Sequence, residues 1–117
     1  MNASDRKTVK HQNSIKSQVD AITGNVKAIG EKCLIKRSII GNNCTIGDKV
    51  KLMNTIVMDN VTIEEGSNIQ GSVVCSNAHI GTNAEVKDCI IASMQNVHSL
   101  AKFTNEVIMD IDQMMEL

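Results

Sequence analysis

An aliphatic residue recurs along most of this chain at intervals of six, six and five residues. The positions are Ile29, Ile35, Ile40, Ile46, Leu52, Val57, Ile63, Ile69, Val74, Ile80, Val86, Ile91 and Val97. Because three successive intervals span seventeen residues, they form three columns with that period. Such a period is typical of repeat proteins and fits neither the helical nor the strand repeat. The pattern therefore predicts a three-sided solenoid that buries one aliphatic residue per side of each coil.

Small residues stand two places before most of these aliphatic positions, where the chain must turn a corner. They are Cys33, Ser38, Cys44, Thr55, Ser67, Ser72, Ala78, Ala84 and Cys89, with the larger Val50 and Val61 at two further positions. Beside one set of corners, Asn43, Asn60 and Asn77 are again seventeen residues apart. Asn tolerates the left-handed backbone conformation that sharp turns require. We therefore expect tight corners with small side chains inside them.

The repeat aliphatic–Gly–x–x–small–x resembles that of left-handed parallel β-helix proteins. Gly30, Gly41, Gly47 and Gly81 follow aliphatic positions as this pattern requires. The left hand is implied by the resemblance, because parallel strand crossovers are generally right-handed. The expected fold is all-β, a single-stranded left-handed parallel β-helix of about five coils, over residues 22–108.

The two ends of the chain depart from the repeat. Residues 1–18 are polar and are expected to be a linker or disordered tail, with the β-helix over residues 19–117. A weak helical spacing of Ile15, Val19 and Ile22 competes at the start. In the last coil Phe103 takes an inward position and Gln95 and Glu106 take corner positions. Residues 110–117 are expected to cap the open end.

Composition excludes several classes of function. Phe103 is the single aromatic residue and the net charge is −1, so we expect no direct contact with nucleic acid. No apolar stretch is long enough to span a membrane, and the N-terminus is polar, which predicts a cytosolic protein. Cys33, Cys44, Cys75 and Cys89 fall on different corners or sides and cannot converge on one metal ion. We expect reduced thiols and no cofactor.

One side of the predicted prism is apolar on its outside. Strand alternation places one outward column at Ile39, Ile56, Val73, Ile90 and Val107, and the other at Gly41, Met58, Cys75, Ala92 and Met109. The other two sides carry Lys51, Glu64, Glu85 and similar polar residues. An apolar patch of this size usually marks a contact site. We predict a partner interface at Ile39, Ile56, Met58, Val73, Cys75, Ile90, Val107 and Met109, unless the chain's own tail covers it.

Four segments resemble one family closely, and the pieces within them that depart from the hexapeptide pattern, IKRS, EEGSNIQGSV and the ending, make the resemblance specific. IKRSIIGNNCTIGDKV (35–50), NVTIEEGSNIQGSVVCSNAHIG (60–81), VKDCIIAS (86–93) and NEVIMDIDQMMEL (105–117) resemble the C-terminal domain of the gamma subunit of eukaryotic translation initiation factor two-B. The resemblance implies a non-catalytic module that pairs with the epsilon subunit and supports GDP/GTP exchange on initiation factor two. In that family a nucleotidyltransferase-like domain precedes the β-helix, so we expect a fragment or short isoform.

Two enzyme classes share the repeat and remain alternatives. Hexapeptide acyltransferases use a His as general base at a trimer interface, and His79 and His98 are candidates. The unbroken repeat leaves no room for the long acyl-carrier loop, which favours an ordinary surface His79. Related zinc-dependent carbonic anhydrases need three converging His, but His11 lies in the polar tail. We interpret Glu64 and Glu65 as a solvated turn, and predict no catalytic or metal-binding residue.

Overall fold

Short strands separated by tight corners make up this protein. The computed structural model describes residues 18–109, and within them every regular element is a strand. The strands are β1 (Gln18–Thr23), β2 (Ala28–Ile29), β3 (Leu34–Ile40), β4 (Thr45–Ile46), β5 (Lys51–Met53), β6 (Ile56–Val57), β7 (Thr62–Ile63), β8 (Asn68–Gln70), β9 (Val73–Val74), β10 (His79–Ile80), β11 (Glu85–Lys87), β12 (Ile90–Ile91), β13 (Asn96–Val97), β14 (Lys102–Thr104) and β15 (Val107–Ile108).

These strands form the three faces of a prism, and the strands within each face are parallel. The first face is β2-β4-β7-β10-β13 in spatial order. The second contains the start of β3 with β5, β8, β11 and β14, and the third contains the end of β3 with β6, β9, β12 and β15. Strand β3 runs through a corner and so joins the second and third faces into one sheet. The protein is a left-handed parallel β-helix of about five turns, as the sequence predicted.

The aliphatic period sets the pairing register. Ile46, Ile63 and Ile80 are direct ladder partners on the first face, each seventeen residues from the next. Twelve of the predicted inward residues are buried, and Ile29, in the lowest complete coil, is half-buried. Stacked coils bury their aliphatic side chains against the coils above and below, so a single coil has no core of its own. The predicted core is confirmed.

Small buried residues lie inside the corners, and the polar ones among them form hydrogen bonds there. All the predicted small corner residues are buried, together with Val50 and Val61. The hydroxyl of Ser38 donates to the carbonyl of Lys36 at 2.9 Å and accepts from the N–H of Thr55 in the next coil at 3.3 Å. Ser72 repeats this arrangement with Gln70 and Cys89. Because buried polar groups without partners are costly, these bonds make serine acceptable inside the prism.

Left-handed backbone conformations recur at the corners. Asn43, Asn60 and Asn77 have φ values of 59°, 59° and 63°, as predicted. The other two corner columns were not predicted, because large residues also occupy them. Lys32, Arg37, Lys49 and Leu100 in these columns have positive φ values between 50° and 66°. Pairing with the coils above and below imposes this conformation even on residues that disfavour it.

The two ends differ from the regular coils. Val19 and Ile22 lie in strand β1, so the helical alternative is wrong for them, and Ile15 lies outside the described residues. Strand β1 pairs with the whole of β3, but a bulge between Asp20 and Ala21 leaves Arg37 without a ladder partner. At the other end Phe103 pairs with Val86 as predicted and is half-buried. The predicted tail was residues 1–18, of which Gln18 begins strand β1; residues 1–17 and the predicted cap, residues 110–117, lie outside the described residues.

Candidate interaction surface

The third face of the prism carries two outward columns of apolar side chains, here called the apolar face. Its first column is Ile39, Ile56, Val73, Ile90 and Val107, which are successive ladder partners through β3, β6, β9, β12 and β15. Its second column is Gly41, Met58, Cys75, Ala92 and Met109, each two residues further along. All eight residues of the predicted interface therefore lie on one face. The ladder aligns in one column residues that are up to 68 positions apart in sequence.

These side chains are open to solvent to an unusual degree for large apolar residues. The exposed ones, with their exposed fractions, are Ile39 (46%), Ile56 (42%), Met58 (41%), Ile90 (46%) and Val107 (58%). Val73, Cys75 and Met109 are half-buried. Single exposed apolar residues are common on protein surfaces, but a contiguous apolar column is not. The arrangement marks this face as a surface suited to contact.

Ile22 extends the first column by one further coil. It pairs with Ile39 in the β1–β3 ladder and has an exposed fraction of 72%. The interface predicted from the sequence omitted it. Its position one period before Ile39, within the predicted coils, was the available indication. With Ile22 the apolar column is six strands tall, about 24 Å at the usual strand spacing.

The other two faces are polar. On the second face the outward positions include Lys36, Lys51, Lys87 and Lys102. On the first face Thr62 and His79 are neighbours in one outward column. Burying either of these faces in a contact would require charged side chains to be desolvated, which the apolar face does not require.

Glu64 on the first face has two partners from the coil above. Its Oε2 lies 2.5 Å from Nε2 of His79, and its Oε1 accepts a hydrogen bond from the hydroxyl of Thr82 at 2.9 Å. The Thr82 hydroxyl first, and His79 second, hold the pKa of Glu64 below its ordinary value of 4.5. Glu64 faces outward as predicted, but the interpretation as a solvated turn missed this pair of hydrogen bonds. A separation of 15 residues hides the His79 contact from local sequence patterns.

The cysteines are dispersed, as predicted. Cys33, Cys44 and Cys89 are buried, Cys75 is half-buried on the apolar face, and all four are free thiols. Burial raises the pKa of the Cys44 thiol, whose Sγ donates to the carbonyl of Met58 at 3.0 Å. Over residues 18–109, no three His, Cys, Asp or Glu side chains are close enough together to hold a metal ion.

Comparison with known protein families decides where this β-helix belongs. A family model described as the EIF2B subunit epsilon LbH domain matches residues 2–109, where LbH denotes the left-handed β-helix. The chain belongs to this family. The match covers every described strand, from β1 to β15. No curated protein matches the chain.

Membership of the EIF2B LbH family agrees with the resemblance seen in the sequence at the level of the domain. The matched model is described by the epsilon subunit, whereas the segments quoted above resemble the gamma subunit. An EIF2B-type domain indicates a module of a translation initiation exchange factor, which acts within a complex of several subunits. Among the described residues, none belongs to a helix long and apolar enough to cross a membrane.

Proposed function

We propose that this chain is a non-catalytic assembly module of an EIF2B-type exchange factor in the cytosol. It docks through the apolar face onto an epsilon-type subunit of the same complex, and so supports GDP/GTP exchange on initiation factor two. The observation that carries the proposal is the column of exposed apolar side chains on one face of an EIF2B-type β-helix. Since a rigid ladder holds these side chains, docking costs little conformational entropy in the backbone.

The chemistry of the face favours a partner with a flat apolar surface of its own. Ile39, Ile56 and Ile90 are β-branched and stiff, and they form a ridge with a period of one strand spacing. No charged residue interrupts either column from residue 39 to residue 109. A charge at the centre of such a contact must be desolvated without a matched partner, which is costly. The face therefore selects against a charged partner surface.

The gamma-type assignment within the family rests on sequence segments. The segments IKRS at residues 35–38, EEGSNIQGSV at residues 64–73 and the ending at residues 105–117 support it. A gamma-type chain is expected to capture an epsilon-type subunit, whereas an epsilon-type chain is expected to capture a gamma-type subunit. Immobilising the chain and offering each purified subunit separately distinguishes the two assignments. Preferential capture of the gamma-type subunit would overturn the gamma assignment.

A matched pair of substitutions tests the docking face. Ile56→Lys places a charge at the centre of the apolar face, while Thr62→Lys places the same charge on the first face of the same coil. Both side chains are exposed, so both variants should fold. We expect Ile56→Lys to weaken capture of the epsilon-type subunit by at least about tenfold and Thr62→Lys to leave it unchanged. Equal capture by the two folded variants would exclude this face as the docking surface.

A hexapeptide acyltransferase is the second candidate, and one contact favours it. The contact of His79 with Glu64 orients the imidazole, as a general base requires. The constant seventeen-residue register from β3 to β15 leaves no extruded loop within those coils to bind an acyl carrier. Acetyl-group transfer to amine or hydroxyl acceptors that His79→Ala abolishes, from a chain that sediments as a trimer, would establish this alternative.

A further inference from the structure

Charges are segregated along the axis of the prism although the net charge is small. In the lower coils, residues 18–51, there are six cations and three carboxylates; in the upper coils, residues 52–109, there are two cations and six carboxylates. The lower set is Lys27, Lys32, Lys36, Arg37, Lys49 and Lys51 against Asp20, Glu31 and Asp48. Residues 18–51 therefore have a net charge of +3 and residues 52–109 a net charge of −4. Two such prisms attract each other when their axes are antiparallel.

The apolar face is also complementary to itself in that orientation. A two-fold axis crossing the face between the coils of Ile56 and Val73 reverses the order of the coils. It places Ile56 opposite the partner's Val73, and Ile39 opposite the partner's Ile90. Ile22 then lies opposite the partner's Val107, so the full six-strand column is matched by apolar side chains. A two-fold interface of this kind uses the same patch on both copies.

The corner beside the apolar face carries the decisive charges. One edge column reads Arg37, Asn54, Gly71, Asp88 and Asn105, all with positive φ. Arg37 and Asp88 are exposed, and neither forms an ion pair with another described residue. The two-fold axis described above keeps this edge on the same side and inverts its height. Arg37 of one copy then faces Asp88 of the partner subunit, and this contact occurs twice.

A parallel arrangement lacks this match. An axis along the prism would bring the Arg37 edge against the opposite edge of the second copy, which carries Asn43, Asn60, Asn77 and Met94. Asp88 would then lie at the height of the partner's Met94, with no cation beside it. Desolvating a carboxylate without a partner is unfavourable. Charge therefore separates the two orientations that the apolar face alone would allow.

We propose that the apolar face also binds a second copy of this chain, in an antiparallel two-fold dimer held by apolar contacts and two Arg37–Asp88 ion pairs. The inference rests on the proposed function only in that both use the apolar face. Self-association should therefore compete with docking of the epsilon-type subunit. The face spans roughly 24 Å by 15 Å, from the strand spacing and the rise per residue. That area is below what a standard stable interface buries per partner, so the dimer should be weak and concentration-dependent.

Charge reversal tests the orientation with little risk to folding. Arg37→Asp and Asp88→Arg each install a residue that the same corner column already contains at a similar φ, 50° and 54°. In the antiparallel dimer each single variant creates two contacts between like charges, so both should dimerise at least about tenfold more weakly than the parent chain. An equimolar mixture of the two variants restores two opposite-charge contacts, and it should dimerise as the parent chain does.

Sedimentation velocity of the full chain over a wide range of concentration gives the readout. Restored dimerisation in the mixture, with monomeric single variants, supports the proposal. It is overturned if the parent chain stays monomeric, if the single variants dimerise normally, if the mixture remains monomeric, or if a trimer forms. Capture of the epsilon-type subunit is measured on the same variants. Failure of the dimer with capture intact overturns this inference alone and leaves the proposed function standing.

Discussion

The carboxylate of Asp59 accepts a hydrogen bond from the backbone N–H of Asn42, one coil below, at 2.8 Å. The side-chain Oδ1 of Asn42 likewise accepts a hydrogen bond from the backbone N–H of Asn25, again at 2.8 Å. Each side chain thus binds a corner N–H that the β-ladder leaves without a carbonyl. The result is a chain of side-chain to backbone bonds along one edge of the prism, which links every coil it touches to the next.

Removing one such link should lower stability measurably. Asp59→Ala leaves the N–H of Asn42 to water and should reduce the free energy of unfolding by about 1 kcal/mol. Asp59→Asn keeps an Oδ1 acceptor at the same place and should retain most of that stability. Urea denaturation of the two variants provides the comparison. Equal losses for Ala and Asn would show that the hydrogen bond does not stabilise the corner.

The inside and outside of one strand give a second test. Ile63 has an exposed fraction of 1%, whereas its neighbour Thr62 in β7 is exposed. Ile63→Asp places an unpaired carboxylate in an apolar core and should cost several kcal/mol, enough to prevent folding. Thr62→Asp should change stability by about 1 kcal/mol or less. Circular dichroism and thermal melting of both variants check this, and similar melting curves would contradict the register.

Hydrogen bonds to Glu64 predict a specific pH dependence. Because its pKa is lowered in the folded protein, the carboxylate form of Glu64 stabilises the fold above the ordinary value of 4.5. That contribution should be lost as the pH falls through the depressed native pKa. Comparing urea midpoints of the parent chain and Glu64→Gln across this range should show a difference at neutral pH that disappears in acid.

Thr82 has the largest influence on this carboxylate. Thr82→Val removes the hydroxyl donor but keeps the shape of the side chain, so the pKa of Glu64 should rise towards its ordinary value. Thr104→Val, on the second face, is the matched control and should leave this pKa unchanged. Carbon-detected NMR titration of the Glu64 carboxyl measures the shift. An unaltered Glu64 titration in Thr82→Val would show that the hydroxyl does not determine the pKa.

A stabilising substitution is available at Leu100. This residue is 70% exposed and has a φ of 66°, a left-handed conformation that leucine disfavours. Leu100→Asn should raise the free energy of unfolding by about 1 kcal/mol, because Asn accepts this conformation more easily. Asn83→Leu, one coil below in the same column with a φ of 56°, should lower it by a similar amount. Thermal melting of both variants should show shifts of opposite sign.

The aliphatic period made most of the architecture predictable. Residues such as Ile46, Ile63 and Ile80 can repeat every seventeen positions over several coils only if they stack, and stacking fixes the register of all three faces. Outward positions such as Ile56 then follow from strand alternation alone. The small corner residues were equally informative, because the inside of a tight corner admits little else.

Other features could not be predicted, for identifiable physical reasons. The bulge between Asp20 and Ala21 could not be predicted from the seventeen-residue period, because the residues before it pair with β3 at a separation of sixteen. Arg37 and Leu100 take left-handed conformations that their own preferences oppose, since the adjacent coils determine the backbone there. The contact of Glu64 with His79 depends on side-chain rotamers and on the stacking of two coils. No pattern within either segment indicates it.

The bulge between Asp20 and Ala21 also has a consequence for the pairing that strand β1 can offer to another chain. Gln18, Val19 and Asp20 pair with β3 in one register, and the residues from Ala21 onwards pair in another. Because β1 has no counterpart of the corner residue Arg37, a regular seventeen-residue coil could match β1 over only one of these two parts. Irregular strands of this kind make poor templates for another chain. Strand β1 is therefore a poorer template for the addition of a further coil than the regular strands that follow it.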